Sequence, residues 1–343
     1  MKTTEGTTYR MLQTNLSRIT NQLEDLRIQG ATGIKLAKPS DDPAAIRPVL
    51  TTRSQIMHTD RYLETMGISL DVMQATDGHL EHVENVLQRV KEIAVNAING
   101  SLNNEDRTVL ANEVSHLKQE LLDAANGMVD GKYIFAGYQE NTKPFIANPN
   151  YNPDPAVPAP PPYDPADSTT WPYIYQGDAN PTQLEITPGE FLEVDLTGND
   201  LFLGVSNSNW VNEATAATGQ PEPNRIDLFS VLTLTEEAIR TNNLDDPNPP
   251  PSGRGLQQQL TNLETAANQE RRLRSQLGNR ARRVETAMLH QTDVRIDLKQ
   301  ILSRYEDADA IETFNEIIKQ ETAFQAALNI TSKVAKISIL DFI

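Results

Sequence analysis

The chain is expected to be mainly α-helical with a β-rich insert: long terminal coiled-coil helices, a helical-bundle middle domain and an outer antiparallel β domain. Three observations lead there. Of 21 prolines, three precede residue 50, eighteen fall between Pro144 and Pro251, and none follows. Both tryptophans, Trp171 and Trp210, lie in the same central block. The flanks instead carry apolar residues in alternating steps of three and four, the pattern of helices that pack along a seam.

Leu12, Leu16, Ile19, Leu23 and Leu26 form the first seam, which ends at Gly30 and Gly33. Asp42 then offers an N-cap and Pro43 a first helical residue, where a missing N–H costs nothing. Helix should run on through Ile56 and Leu63, with Gly67 and Gly78 as soft spots. Val83, Leu87, Val90, Ala94 and Ala97 repeat the stepping until Asn99-Gly100 closes the helix. The next helix starts near Asn104 and should place Leu110, Val114, Leu117, Leu121, Ala125 and Met128 on one face.

Asp130-Gly131 predicts a turn, and Gly131 to Gly137 a strand entering the insert. Residues 148–165 read as a polyproline-type surface loop. Tyr173–Tyr175, Gln183–Ile186 and Phe191–Val194 are short runs bounded by Gly, Pro and Asn, expected to make a small antiparallel domain. Residues 207–224 read as a loop. Helix returns at Leu228, Leu232 and Ile239, and a loop follows over 245–255. Beyond it the chain has no proline and one glycine, Gly278. Leu277, Ala281, Val284, Met288, Gln291, Arg295, Leu298, Leu302 and Tyr305 make the last long seam. It fades at Glu306 to Asp309, and this arm is expected either to be part of a rod or to bend there.

Composition bounds the function. The formal charge is −17, and residues 141–250 alone hold three basic against sixteen acidic side chains. Such an insert should face solvent and repel nucleic acid and anionic lipid. With no cysteine in the sequence, disulfides, thiolate metal sites and cysteine nucleophiles are excluded. Hydrophobic content is 38% and mean hydropathy −0.49, which implies a thin core. The first sixteen residues lack the apolar stretch of a secretory signal, and no window reads as a membrane span.

Candidate chemistry is sparse. His79 and His82 stand three apart beside Glu81 and Glu84, yet without a further ligand cluster a solvated helix face is the expectation, and no metal is assigned. Asp41 and Asp42 beside Pro43 read as a helix cap rather than a catalytic pair. Arg271, Arg272, Arg274, Arg280, Arg282 and Arg283 lack the aromatic or groove-reading neighbours of a nucleic-acid site, and are expected to pair with carboxylates on adjacent helices. No motif supports an enzyme, a catalytic residue or a cofactor.

Local motifs add a resemblance. Thr32 to Ala45 (TGIKLAKPSDDPAA) and Ser275 to Ala287 (SQLGNRARRVETA) resemble the two terminal signatures of the flagellin superfamily. Gly131 to Phe145 (GKYIFAGYQENTKPF), Tyr175 to Asp178 (YQGD) and the ending Ser338 to Ile343 (SILDFI) are similar to its hook-associated members. The resemblance implies three domains: 1–40 with 303–343 as an inner terminal coiled coil, 41–140 with 225–302 as a helical rod, and 141–224 as the outer insert. It implies a domain-junction motif at Pro39, Ser40, Asp41, Asp42 and Pro43, and a helix-packing motif at Leu277, Gly278, Arg280, Arg283 and Glu285. Subunit-interface residues are expected at Leu12, Leu16, Ile19, Leu23 and Leu26, and at Phe314, Ile317, Ile318, Phe324 and Leu328. Ordering such ends costs about 1–2 kcal/mol per residue in backbone entropy. They are therefore expected to be weakly ordered alone and to fold against neighbouring copies.

The implied role is architectural, at the junction of hook and filament in the bacterial flagellum. The implied partners are further copies of the chain in a ring, a preceding hook-associated protein, flagellin, an export chaperone and the type III export apparatus, with neither nucleic acid nor membrane insertion. The place is extracellular after a cytoplasmic stage. A flagellin filament subunit is the alternative within the class. A secreted adhesin or effector on a helical stalk is the alternative outside it, and deletion of residues 141–224 should then abolish its activity while sparing a purely structural assembly.

Overall fold

The computed structural model describes residues 2–36, 38, 42–152, 160–161, 163–213, 216–218, 221–245 and 254–340. Helix α1 (Lys2–Thr32) ends where Gly33 takes a positive φ of 70°. Helix α2 (Pro43–Asn99) begins as expected, with Asp42 Oδ1 accepting from the N–H groups of Ala44 at 2.9 Å and Ala45 at 3.2 Å. It runs through Gly67 and Gly78 without a break, because the apolar face that α2 buries outweighs the weak helix propensity of two glycines. Helix α3 (Asn104–Ala125) starts on Asn103, whose Oδ1 accepts from Asp106 N at 2.8 Å. Its buried face carries Ala111, Val114, Leu121, Leu122, Ala124 and Ala125, with Leu110 and Leu117 half-buried beside it. Met128 is not on this face. Asn126 ends the helix first: its amide donates to Leu122 O and Phe145 O and accepts from Phe145 N.

The insert is a set of two-stranded antiparallel pairs rather than one sheet. Strands β1 (Met128–Val129) and β2 (Lys132–Tyr133) flank Asp130 and Gly131, both at positive φ, as the turn signal predicts. The strand expected up to Gly137 stops at Tyr133. The next carbonyls serve other segments, Phe135 O accepting from Gly198 N at 2.8 Å and Ala136 O from Asp178 N at 3.0 Å. Strand β3 (Phe145–Ala147) pairs with β4 (Tyr173–Tyr175), and β5 (Gln183–Thr187) with β6 (Glu190–Glu193). Strands β7 (Val211–Glu213) and β8 (Ala216–Thr218) pair antiparallel where a loop is expected from sequence. Within 148–165, residues 153–159 and 162 lie outside the described set. The rest is not wholly surface loop, since Asn148 and Tyr163 are buried and Asn148 Nδ2 donates to the carbonyls of Thr169 and Trp171.

Two motifs forty residues apart meet here. Tyr175 Oη lies 2.8 Å from Phe135 O and 2.9 Å from Asp178 O. Asp178 Oδ1 accepts from the N–H groups of Tyr138 and Asn180. Gly137, at φ 61°, has no Cβ at the point where that carboxylate sits.

Among the described residues, four α-helices follow: the single-turn α4 (Gly198–Leu201), α5 (Leu228–Thr241), α6 (Leu256–Glu306) and α7 (Ala310–Leu340). The break between α6 and α7 falls where the seam fades, and Asp309 Oδ1 caps α7 through Ile311 N and Glu312 N.

Contacts divide the chain into two units, residues 62–290 and residues 1–61 with 291–343. In the first, one apolar core runs from the helices into the insert. Leu80 and Leu87 of α2, Leu121 of α3, Phe229 of α5 and Leu273 of α6 share it with Phe145, Trp171, Tyr175 and Phe202. The Phe145 ring centroid lies 5.1 Å from Tyr175, 5.2 Å from Phe202 and 5.1 Å from Phe229. The insert thus completes the helical core instead of burying one of its own.

Candidate assembly surface

The second unit is built from α1, the first turns of α2, the last turns of α6, and α7. Helices α1 and α7 pack on one another. The α1 seam is the packed face: Leu23 is buried, and Leu12, Leu16, Ile19 and Leu26 are half-buried. Gly30 lets α7 approach closely, since a Cβ there would stand 3.3 Å from Ile317 Cδ1. Arg27 pairs with Glu321 at 2.7 Å, and Gln320 Nε2 donates to Gln22 Oε1 at 2.6 Å. At the helix ends, Lys35 N donates to Glu306 O at 2.6 Å and Ala308 N to Gly33 O at 2.8 Å. Arg53 closes on Glu306 at 2.7 Å.

The α7 residues expected at the interface divide between two faces. Ile317 and Phe324 are half-buried on the packed side, with Thr313 buried beside them. Phe314, Ile318 and Leu328 face solvent. Successive helical residues turn by about 100°, so neighbours such as Ile317 and Ile318 cannot share one narrow seam. Ile311 (77% exposed), Phe314 (57%) and Ile318 (62%) recur at i, i+3 and i+7, a second apolar stripe left open to solvent.

This imbalance marks the whole unit. Among its described residues, the buried hydrophobic side chains are Leu23, Leu36, Ala45 and Val49. Met11, Leu50, Met57, Ile296, Ile301 and Ile330 join the exposed large apolar residues. The unit is also neutral, with fifteen basic and fifteen acidic residues, so the net −17 belongs to residues 62–290. Copies of this unit can approach one another without net repulsion.

The remaining motif residues fall as follows. Pro39, Ser40 and Asp41 lie outside the described residues, while Asp42 and Pro43 start α2. Leu277 is buried, Gly278 meets open space, and Glu285 is exposed. Arg280 donates from Nη1 to Asp195 O at 2.8 Å and from Nη2 to the Glu193 carboxylate. Arg283 pairs with Glu190 at 3.3 Å. These two arginines therefore hold the β5–β6 hairpin, not a neighbouring helix as expected. Arg271 and Arg274 do pair across helices, with Glu84 and with Asp77, Glu81 and Glu84. The hairpin role leaves no mark in a single sequence, because hairpin and arginine lie some ninety positions apart. Asp195, also held beside Arg280, is raised to about 6 by burial. His79 is not on a solvated face either. It is half-buried against Gly127, and burial, then the nearby His82, lowers its pKa.

Replacing Arg280 with Ala should cost about 1–3 kcal/mol, because a half-buried carbonyl and a carboxylate lose a charged donor. Lysine should recover little of it, lacking the forked geometry. Urea unfolding of the variants checks both.

Two family descriptions match the ends of the chain: the bacterial flagellin N-terminal helical region over residues 6–140, and the bacterial flagellin C-terminal helical region over residues 260–343. Among curated relatives, the flagellar hook-associated protein 3 of Escherichia coli (strain K12) is 27% identical over 330 residues, covering 93% of each chain. Polar flagellin F of Vibrio parahaemolyticus is 27% identical over 109 residues, 32% of this chain and 29% of that one. In fold, the chain is similar to the crystal structure of the flagellar junction protein of Legionella pneumophila, at TM-score 0.53 and 17% identity, over 76% of this chain and 100% of the other.

Proposed function

We infer the role of this chain from the premise that it belongs to the flagellin family, whose N- and C-terminal helical regions match it at opposite ends. It is a structural component of the bacterial flagellum, of the hook–filament junction kind. One observation carries this: the likeness to hook-associated protein 3 spans nearly the full length of both chains, whereas the likeness to polar flagellin F covers about a third of this chain. A filament subunit is the weaker reading for that reason.

Its place is in the axial assembly with other flagellar components. The finer reading is ours. Copies of the chain form a ring that docks on a preceding hook-associated protein and presents a start surface to flagellin. The exposed stripe of Ile311, Phe314 and Ile318 is the surface that neighbouring copies cover, and the α1 seam at Leu12, Leu16, Ile19, Leu23 and Leu26 holds α7 in position to offer it. Residues 1–40 with 303–343 are the innermost part, 41–140 with 225–302 the rod, and 141–224 the outward part. The chain is exported through the type III apparatus with a chaperone and acts outside the cell without catalysis. The neutral charge and scant core of the unit formed by 1–61 and 291–343 support this reading.

Electron microscopy of a strain lacking the gene tests it. Hooks should remain, filaments should be missing, and flagellin should appear in the medium. Normal filaments would overturn the reading.

A further inference from the structure

Glu270 lies within α6 and is wholly buried. Neither of its carboxyl oxygens receives a hydrogen bond from a described residue. Two arginines stand near it on the same helix, and both are engaged elsewhere. Arg274 donates to Asp77 from Nε at 2.8 Å and Nη2 at 3.1 Å, to Glu81 at 3.2 Å and to Glu84 at 3.1 Å. Arg271 donates to Glu84 at 3.0 Å and to Asn268 at 3.3 Å. The carboxylates of α2 thus occupy the two cations, and Glu270 is the acid left over. An ionised carboxylate at this point would be buried without a partner, a state that buried acids avoid by taking up a proton.

We infer that Glu270 is a proton-binding site: α6 packs on α2 with this carboxyl neutral, and the packing loosens when the proton leaves. The charged groups acting on it are Glu84 and Asp77 from α2 and Arg274 and Arg271 from α6. Burial has the largest effect, and together with Glu84 and Asp77 it raises the carboxyl to about 7 against the opposing arginines. The folded value lies above the ordinary 4.5. The stability contributed is therefore complete below about 4.5 and is lost as the pH rises through about 7.

Urea unfolding of the full chain near pH 5 and pH 8 tests this, with Glu270→Gln as the neutral isostere. The unfolding constant of the parent should rise between the two conditions. In Glu270→Gln that rise should be smaller by roughly a hundredfold. The two proteins should match near pH 5, and the variant should be the more stable near pH 8. Asp227 is also buried and raised to about 7, but it is present in both proteins and cancels. A second measurement needs no variant that folds: the Glu270 carboxyl carbon, followed by NMR in the parent chain, should titrate near neutrality. Equal pH dependence in both proteins, or titration of that carbon in the ordinary acid range, overturns the inference.

Discussion

Ending the chain at residue 302 is expected to abolish filament assembly while leaving residues 62–290 folded. The truncation removes the 31-residue α7, the partner against which the α1 seam packs, together with the stripe of Ile311, Phe314 and Ile318. Without it α1 loses the helix on which Leu12, Leu16, Ile19, Leu23 and Leu26 pack, and a lone helix whose ordering is not offset by burial does not persist in water. Among the described residues, the core of 62–290 takes no side chain from beyond Met288, so it should survive. The near-ultraviolet signal of Trp171 and Trp210 should be unchanged, and a deletion strain carrying the truncated gene should not swim. Charges at the stripe separate assembly from folding. Phe314→Asp and Ile318→Asp alter exposed side chains, so the isolated chain should shift by no more than about 0.5 kcal/mol. Assembly should nevertheless fail, because the carboxylates would be carried into an apolar contact. Swimming restored by the truncated gene, or by the doubly charged one, would remove the terminal helices from the mechanism.

How far the sequence could lead is visible at particular residues. Heptad stepping located α1, the later turns of α2, α3 and α6, because burial on a helix face imposes a period that survives in the sequence; α7 lies beyond the point where that stepping fades. Asp42, Asp130-Gly131 and Asn99-Gly100 marked ends through chemistry local to a few residues. What stayed hidden depends on distant partners. Met128 continues the α3 period and yet lies in a hairpin, since Asn126 prefers bonds to Phe145. The sequences of Val211–Glu213 and Ala216–Thr218 lack the alternation that identifies strands. On α7 the period admitted both Ile317 and Ile318, and only the packing on α1 decides which one faces inward. Of the surface proposed for assembly, the sequence revealed the apolar residues but not the face to which each belongs.

The second large effect concerns the insert. Phe145→Ala should destabilise residues 62–290 by about 3–5 kcal/mol, the range for emptying a buried aromatic site. Phe145 is fully buried and touches the rings of Tyr175, Phe202 and Phe229, which come from β4, the end of α4 and α5. A cavity there cannot close by moving one segment, because strand and helices press on it together. The loss should therefore appear as one transition, seen alike by helical circular dichroism and by tryptophan fluorescence. An insert with an independent core would give two transitions, with only the fluorescence one displaced. The shared core also reverses the expectation that deleting residues 141–224 spares assembly. That deletion would strip Phe145, Trp171, Tyr175 and Phe202 from the same cluster and expose Leu228 and Phe229 of α5. The shortened chain should be unfolded or aggregated in its middle, and its failure to support filaments would then report lost folding rather than a lost outer ligand.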